Sequence, residues 1–164
     1  YHGTNGLLVE LVPPEHIDTA AVDLQLNARW LVCADACVPG RGDFRLTLPV
    51  GNTRSENPEH ASLFARTRAA LPVALDGEGT YRVTDDQVQV EISAASLPAG
   101  TLQVFVAPGQ IAEPGAAPVI TRQHDRLQIQ LTRHTYFSEA PARIEVVLTQ
   151  SGKGWSVPAR LVSP

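Results

Sequence analysis

The stretch Val22-Asp23-Leu24-Gln25-Leu26-Asn27-Ala28-Arg29-Trp30-Leu31-Val32 decides the fold class. Val22, Leu24, Leu26, Ala28, Trp30 and Val32 recur at every second position, with Asp23, Gln25, Asn27 and Arg29 between them. A strand sends successive side chains to opposite faces, so period two predicts one face on a core and one in water. Trp30 belongs to the apolar series and is expected in the core. The same alternation returns in Phe44-Leu46-Leu48, Val88-Val90-Ile92, Leu127-Ile129-Leu131 and Ile144-Val146-Leu148. It is less clean in Leu102-Val104-Val106, where Phe105 is also apolar. Turn chemistry separates the runs at Val12-Pro13-Pro14, Pro39-Gly40, Asp76-Gly77, Pro98-Ala99-Gly100, Pro108-Gly109 and Ser151-Gly152. Short strands at this spacing predict an all-β chain of antiparallel sandwich or barrel type.

One helix interrupts the strands. Asn57 is placed to cap it, Pro58 suits the first helical position, and Glu59 faces the positive end of the dipole. Leu63, Phe64, Thr67 and Leu71 follow at helical spacing, and Pro72 stops the run. The polar segment 51–58 marks a boundary. Residues 1–51 hold three or four strands, too few for a whole sandwich, and are expected to be the C-terminal part of one. Residues 52–72 are linker and short helix. Residues 73–164 hold six or seven strands, enough for a second β-sandwich domain.

Composition excludes several classes. At 164 residues with 43% hydrophobic and 18% charged, the chain is long enough and apolar enough to bury a core. Its net charge of −4 and single lysine, Lys153, argue against nucleic acid as a partner. No apolar run approaches the roughly 20 residues needed to cross a bilayer, so no direct membrane insertion of this segment is expected. The chain contains no methionine, so it is expected to be a mature or excised piece of a longer protein.

Both cysteines lie in Cys33-Ala34-Asp35-Ala36-Cys37, followed by Val38-Pro39-Gly40. The flanks alternate as strands, and the three intervening residues let the chain double back and bring the sulfurs within bonding range. A ring that small constrains the unfolded chain weakly, by about 2 kcal/mol on the chain-entropy estimate. Stapling is therefore a poor reason for the pair, and reversible redox chemistry or metal capture is a better one. Asp35 disfavours a thiolate beside it and is expected to raise the thiol pKa. A structural disulfide stays open as a reading, as does Cu(I) held by the two thiols. Structural zinc lacks its four ligands here.

The run Cys33-Ala34-Asp35-Ala36-Cys37-Val38-Pro39, with Leu46-Thr47-Leu48-Pro49-Val50 after it, resembles the active-site hairpin of the N-terminal periplasmic domain of DsbD-type thiol:disulfide interchange proteins. The likeness is closer to the ScsB branch, whose hairpin carries a Trp-x-Val-Cys…Cys-x-Pro-Gly pattern. Tyr1-His2-Gly3 followed by Leu7–Leu11 looks like the family's cap loop and the strand after it, and the helix with Leu63-Phe64-Ala65 extends the resemblance more weakly. The resemblance implies an immunoglobulin-like β-sandwich in the periplasm, as a soluble domain of an inner-membrane protein. It implies electron relay from the membrane-embedded part of the same protein to thioredoxin-fold partners, with no cofactor. Cys33 and Cys37 would be the catalytic dithiol, Cys37 facing partners and Cys33 resolving. Tyr1 would cap the pair, with His2 beside it. The family's association with copper tolerance keeps a copper(I)-binding module as the alternative function, beside a structural sandwich with a stapling disulfide. This hairpin has three residues between its cysteines where the DsbD branch has five.

The remaining candidates are weaker. His16, His60, His124 and His134 are scattered in sequence and read as surface histidines. Arg41 and Asp43 flank the returning strand as solvated turn charges that can also meet a partner. No phosphate loop, nucleophile elbow or zinc-protease motif is present.

Overall fold

A computed structural model describes residues 6–33, 36–51 and 57–162. They form β1 (Ala21–Cys33), β2 (Cys37–Pro49), α1 (Pro58–Ala69), β3 (Val73–Ala74), β4 (Gly79–Val83), β5 (Gln87–Ser93), β6 (Gln103–Ala107), β7 (Val119–Gln123), β8 (Arg126–Thr132), β9 (Arg143–Gln150) and β10 (Lys153–Leu161). The chain divides into two units, Tyr1–Ala65 and Arg66–Pro164, the division falling inside α1.

The first unit is built on a two-stranded antiparallel ribbon whose register runs unbroken from Ala21↔Pro49 to Cys33↔Cys37. Pairing in this register sorts the side chains by parity. Val22/Leu48, Leu24/Leu46, Leu26/Phe44, Ala28/Gly42, Trp30/Gly40 and Val32/Val38 form an apolar face. The opposite face carries Asp23/Thr47, Gln25/Arg45, Asn27/Asp43, Arg29/Arg41, Leu31/Pro39 and the cysteine positions.

Three expectations are corrected here. Trp30 is 46% exposed and not core, because no described residue of 6–65 is buried and the ribbon has no second layer within its unit. Its indole lies across the cross-strand glycines instead. A Cβ at Gly40 would collide with the indole, and one at Gly42 would stand 2.9 Å from the Phe44 ring and 3.5 Å from Trp30. Pro39-Gly40 is not a turn but lies within β2, opposite Leu31 and Trp30. A proline has no N–H to give, which a two-stranded ribbon tolerates because each strand has a free edge. Residues 7–11, expected as a strand, join no ladder among the described residues.

α1 begins as its sequence predicts. The Asn57 side-chain Oδ1 accepts a 3.0 Å hydrogen bond from the Glu59 N–H, satisfying a donor that the first turn leaves open.

In the second unit the strand order is β6-β9-β10-β4-β5-β8-β7, with β3 also paired to β10. Eight strands form where six or seven were expected, the extra one being the two-residue β3. The sheet is mixed and not purely antiparallel, because β3 and β4 both run parallel to β10. β10 changes partner along one edge, from β3 at Trp155–Ser156 to β4 at Ala159–Leu161. Pro158 falls in the gap between them, so its missing N–H interrupts no ladder on that side. Ser151 and Gly152 join β9 to β10 with φ of 50° and 79°, the positive pair that a tight hairpin turn requires.

The core is a single cluster drawn from Val88, Val90 and Ile92 of β5, Leu127, Ile129 and Leu131 of β8, Ile144, Val146 and Leu148 of β9, and Val157 and Ala159 of β10. These are the period-two positions, and both halves of the sheet contribute to one interior, an arrangement compatible with a β-sandwich. Gly79 enters the junction of β4, β5 and β10, where a Cβ would stand 2.8 Å from the Glu91 carbonyl oxygen.

Tyr81 of β4 is 1% exposed, and its hydroxyl donates to the Pro141 carbonyl oxygen. Burial raises its pKa above the ordinary tyrosine value. Tyr81→Phe is expected to lower stability by about 1–2 kcal/mol near neutral pH, since it strands a carbonyl that has lost its donor. The raised pKa adds a pH signature. Above about pH 10 the unfolded chain releases the phenolic proton while the folded chain holds it, so wild-type stability falls with rising pH through that window. Urea melts between pH 7 and 11 should show a shallower alkaline decline for the variant.

Candidate functional site

The hairpin tip of the ribbon carries the site candidates. β1 delivers Cys33 and β2 begins with Cys37, as direct Cα partners across a three-residue connection. Cys37 is exposed and disulfide-bonded. Tyr1, His2 and Asp35, the expected cap and pKa-modulating residues, lie outside the described residues.

Behind the cysteines the same face continues in register order. Leu31 opposes Pro39 one pair back from the tip, and Arg29 opposes Arg41 at the pair after that. Arg29, Trp30, Leu31, Pro39, Gly40 and Arg41 line one open depression. Arg41 and Asp43, expected as charges on a turn, are strand residues of β2 and face the same way. Asp43 Oδ1 accepts a 2.5 Å hydrogen bond from the Asn27 side-chain amide, and Asp23 Oδ1 accepts one of 2.5 Å from the Thr47 hydroxyl. Among the described residues neither Arg29 nor Arg41 has an ion-pair partner; the ion pairs present join Arg126 to Glu91, and Arg143 and Arg160 to Glu78. Two like charges opposed across strands weaken the pairing.

Arg29 was legible only as a polar member of the alternation. Counting by twos from each cysteine reaches 31 and 29 on one side and 39 and 41 on the other. Reading Pro39-Gly40 as a turn hid that count.

Two of the described histidines lie in turns of the second unit. His124 takes a φ of 52° in the β7–β8 turn, and His134 Nδ1 accepts a 3.0 Å hydrogen bond from the Tyr136 N–H. Among the described residues no three His, Cys, Asp or Glu side chains are grouped to hold a metal ion. No described helix is long and apolar enough to cross a membrane.

No family model and no curated protein matches the chain. Among solved structures it is similar to the N-terminal periplasmic domain of ScsB from Proteus mirabilis, with a TM-score of 0.58 and 15% sequence identity. The likeness is one of fold. It covers 90% of this chain, more than the hairpin and helix alone, and the chain spans 60% of that structure.

Proposed function

We propose that this chain is a periplasmic thiol–disulfide exchange domain of a DsbD/ScsB-type relay, working through a disulfide between Cys33 and Cys37. One observation carries the reading: Cys37, exposed and disulfide-bonded, stands opposite Cys33, the chain's one other cysteine, at the hairpin tip of the ribbon. A bond there closes a very small ring and adds little stability, yet a partner's thiolate can reach it. The fold likeness to the ScsB periplasmic domain supports the same assignment, work in the periplasm included.

The step balances as follows. A donor thiolate attacks the Cys37 sulfur, the Cys33–Cys37 bond breaks, and Cys33 leaves as a thiolate. The donor's second thiolate then attacks the mixed disulfide. The donor departs oxidised and the pair is left reduced by two electrons. Cys37 next attacks an acceptor disulfide, and Cys33 attacks Cys37 to release the acceptor as a dithiol. Donor and acceptor are thioredoxin-fold proteins, the donor being linked to the membrane-embedded part of the system.

Residues 1–51 act in this reading as part of the sandwich that presents the hairpin, 52–72 as linker and helix, and 73–164 as a second, immunoglobulin-like sandwich. The order β7-β8-β5-β4 beside β10-β9-β6 supports the last assignment, since it matches the D-E-B-A and G-F-C rows of an immunoglobulin constant-type domain.

The test is the equilibrium reduction potential of the pair in defined thiol–disulfide buffers. A value between roughly −270 and −120 mV places it among exchange proteins. A value well below about −300 mV marks a bond that partners seldom open, and would sink the relay in favour of a staple.

A further inference from the structure

We infer that Arg29 and Arg41 together form a docking point for an acidic patch on the thioredoxin-fold partner that exchanges with Cys37. The inference rests on the exchange reading above and names the partner chemistry of that site. Three features of the ribbon carry it.

The first is register. Arg29 and Arg41 oppose each other on the face that carries Cys37, with only the apolar Leu31/Pro39 pair between. Four residues at about 3.3 Å each put the arginines about 13 Å from the cysteine position. A partner aligned along the ribbon to attack Cys37 therefore lies over Leu31 and Pro39 and ends above the two guanidinium groups.

The second is a net positive charge with no ion pair to either arginine among the described residues. Asp43, next on the same face, is within reach of both arginines by register, but its Oδ1 is engaged by Asn27 and it makes no ion pair with either. Arg45 lies farther back beside Gln25. The local balance over Arg29, Arg41 and Asp43 is thus one net positive charge. Two guanidinium forks side by side suit carboxylates that arrive from outside.

The third is distance. At about 13 Å the arginines lie beyond the screening length of about 8 Å at physiological salt. They act weakly on the cysteine sulfur itself and strongly on whatever sits directly over them. Their role is recognition, and the thiol chemistry does not require them.

The chain's net charge of −4 makes the test sharp, because long-range attraction would favour a basic partner. The experiment compares reduction of the oxidised chain by two synthetic Cys-x-x-Cys dithiol peptides, one with two glutamates beyond its cysteines and one with two lysines. Dithiothreitol serves as an uncharged control. At low salt the glutamate peptide is expected to react about tenfold faster than the lysine peptide, within the range known for electrostatic steering. The advantage should shrink as salt rises past 0.15 M. In the double variant Arg29→Gln, Arg41→Gln it should vanish at every salt concentration, while the dithiothreitol rate stays at the wild-type value. Equal peptide rates, or a lysine preference, with normal reduction by dithiothreitol would overturn the docking point alone. A bond that excess dithiothreitol leaves closed would overturn the exchange reading beneath it.

Discussion

With Cys33 replaced by serine, the reduced chain is expected to accumulate a mixed disulfide through Cys37 when mixed with an oxidised thioredoxin-fold protein. With Cys37 replaced, that adduct should fall by at least about tenfold. Both variants lose the two-electron capacity of the pair completely, since neither can close an internal disulfide. What separates them is the order of events. In the proposed exchange Cys37 makes the first bond and Cys33 breaks it, so removing Cys33 leaves the adduct with no internal thiol to resolve it. Removing Cys37 takes away the first bond itself. Non-reducing electrophoresis of both variants against one partner reads the difference directly. Equal trapping by the two cysteines would end the assignment of separate roles, and trapping by neither would count against exchange altogether.

Leu148→Ala is expected to destabilise the second unit by about 3 kcal/mol. Leu148 is fully buried in β9, between β6 and β10, and pairs with Val104 on one side and Trp155 on the other. Deleting a buried leucine side chain loses its transfer free energy and leaves a cavity that close neighbours fill only in part. For a unit of this size, about 3 kcal/mol lowers the melting temperature by roughly 10–20 °C. Thermal denaturation followed by circular dichroism gives the measurement. A shift under about 3 °C would mean that the interior around β9 is far looser than its burial indicates. Phe105→Ala on the same sheet is the internal contrast. Phe105 is exposed between Val104 and Val106, so its loss should cost little.

Much of the second unit was legible because period two there coincides with burial. Val88, Val90, Ile92, Leu127, Ile129, Leu131, Ile144, Val146 and Leu148 alternate in the sequence, and all lie in the core. The helix start was legible for a local reason, since Asn57 and Pro58 act within one turn of themselves. Parallel pairing of β10 with β3 and β4 was not legible. It joins residues some eighty positions apart, and nothing in either short segment encodes its partner. Trp30 failed for a related reason: the alternation marks an apolar face, but burial needs a second layer, which the described part of the first unit does not supply.

The site divides in the same way. That both cysteines share one hairpin, with a ring too small to serve well as a staple, follows from five consecutive residues, because a short loop leaves the chain few alternatives. That Cys33 and Cys37 are direct partners, that β2 runs straight through Pro39-Gly40, and that Arg29 meets Arg41 on the cysteine face are matters of register. A shift of one residue would send every one of those side chains to the opposite face. Sequence alone determined which residues are apolar, which turn and which carry sulfur. The tertiary structure decided which of them face the same way, because that depends on pairing between strands and not on either strand alone.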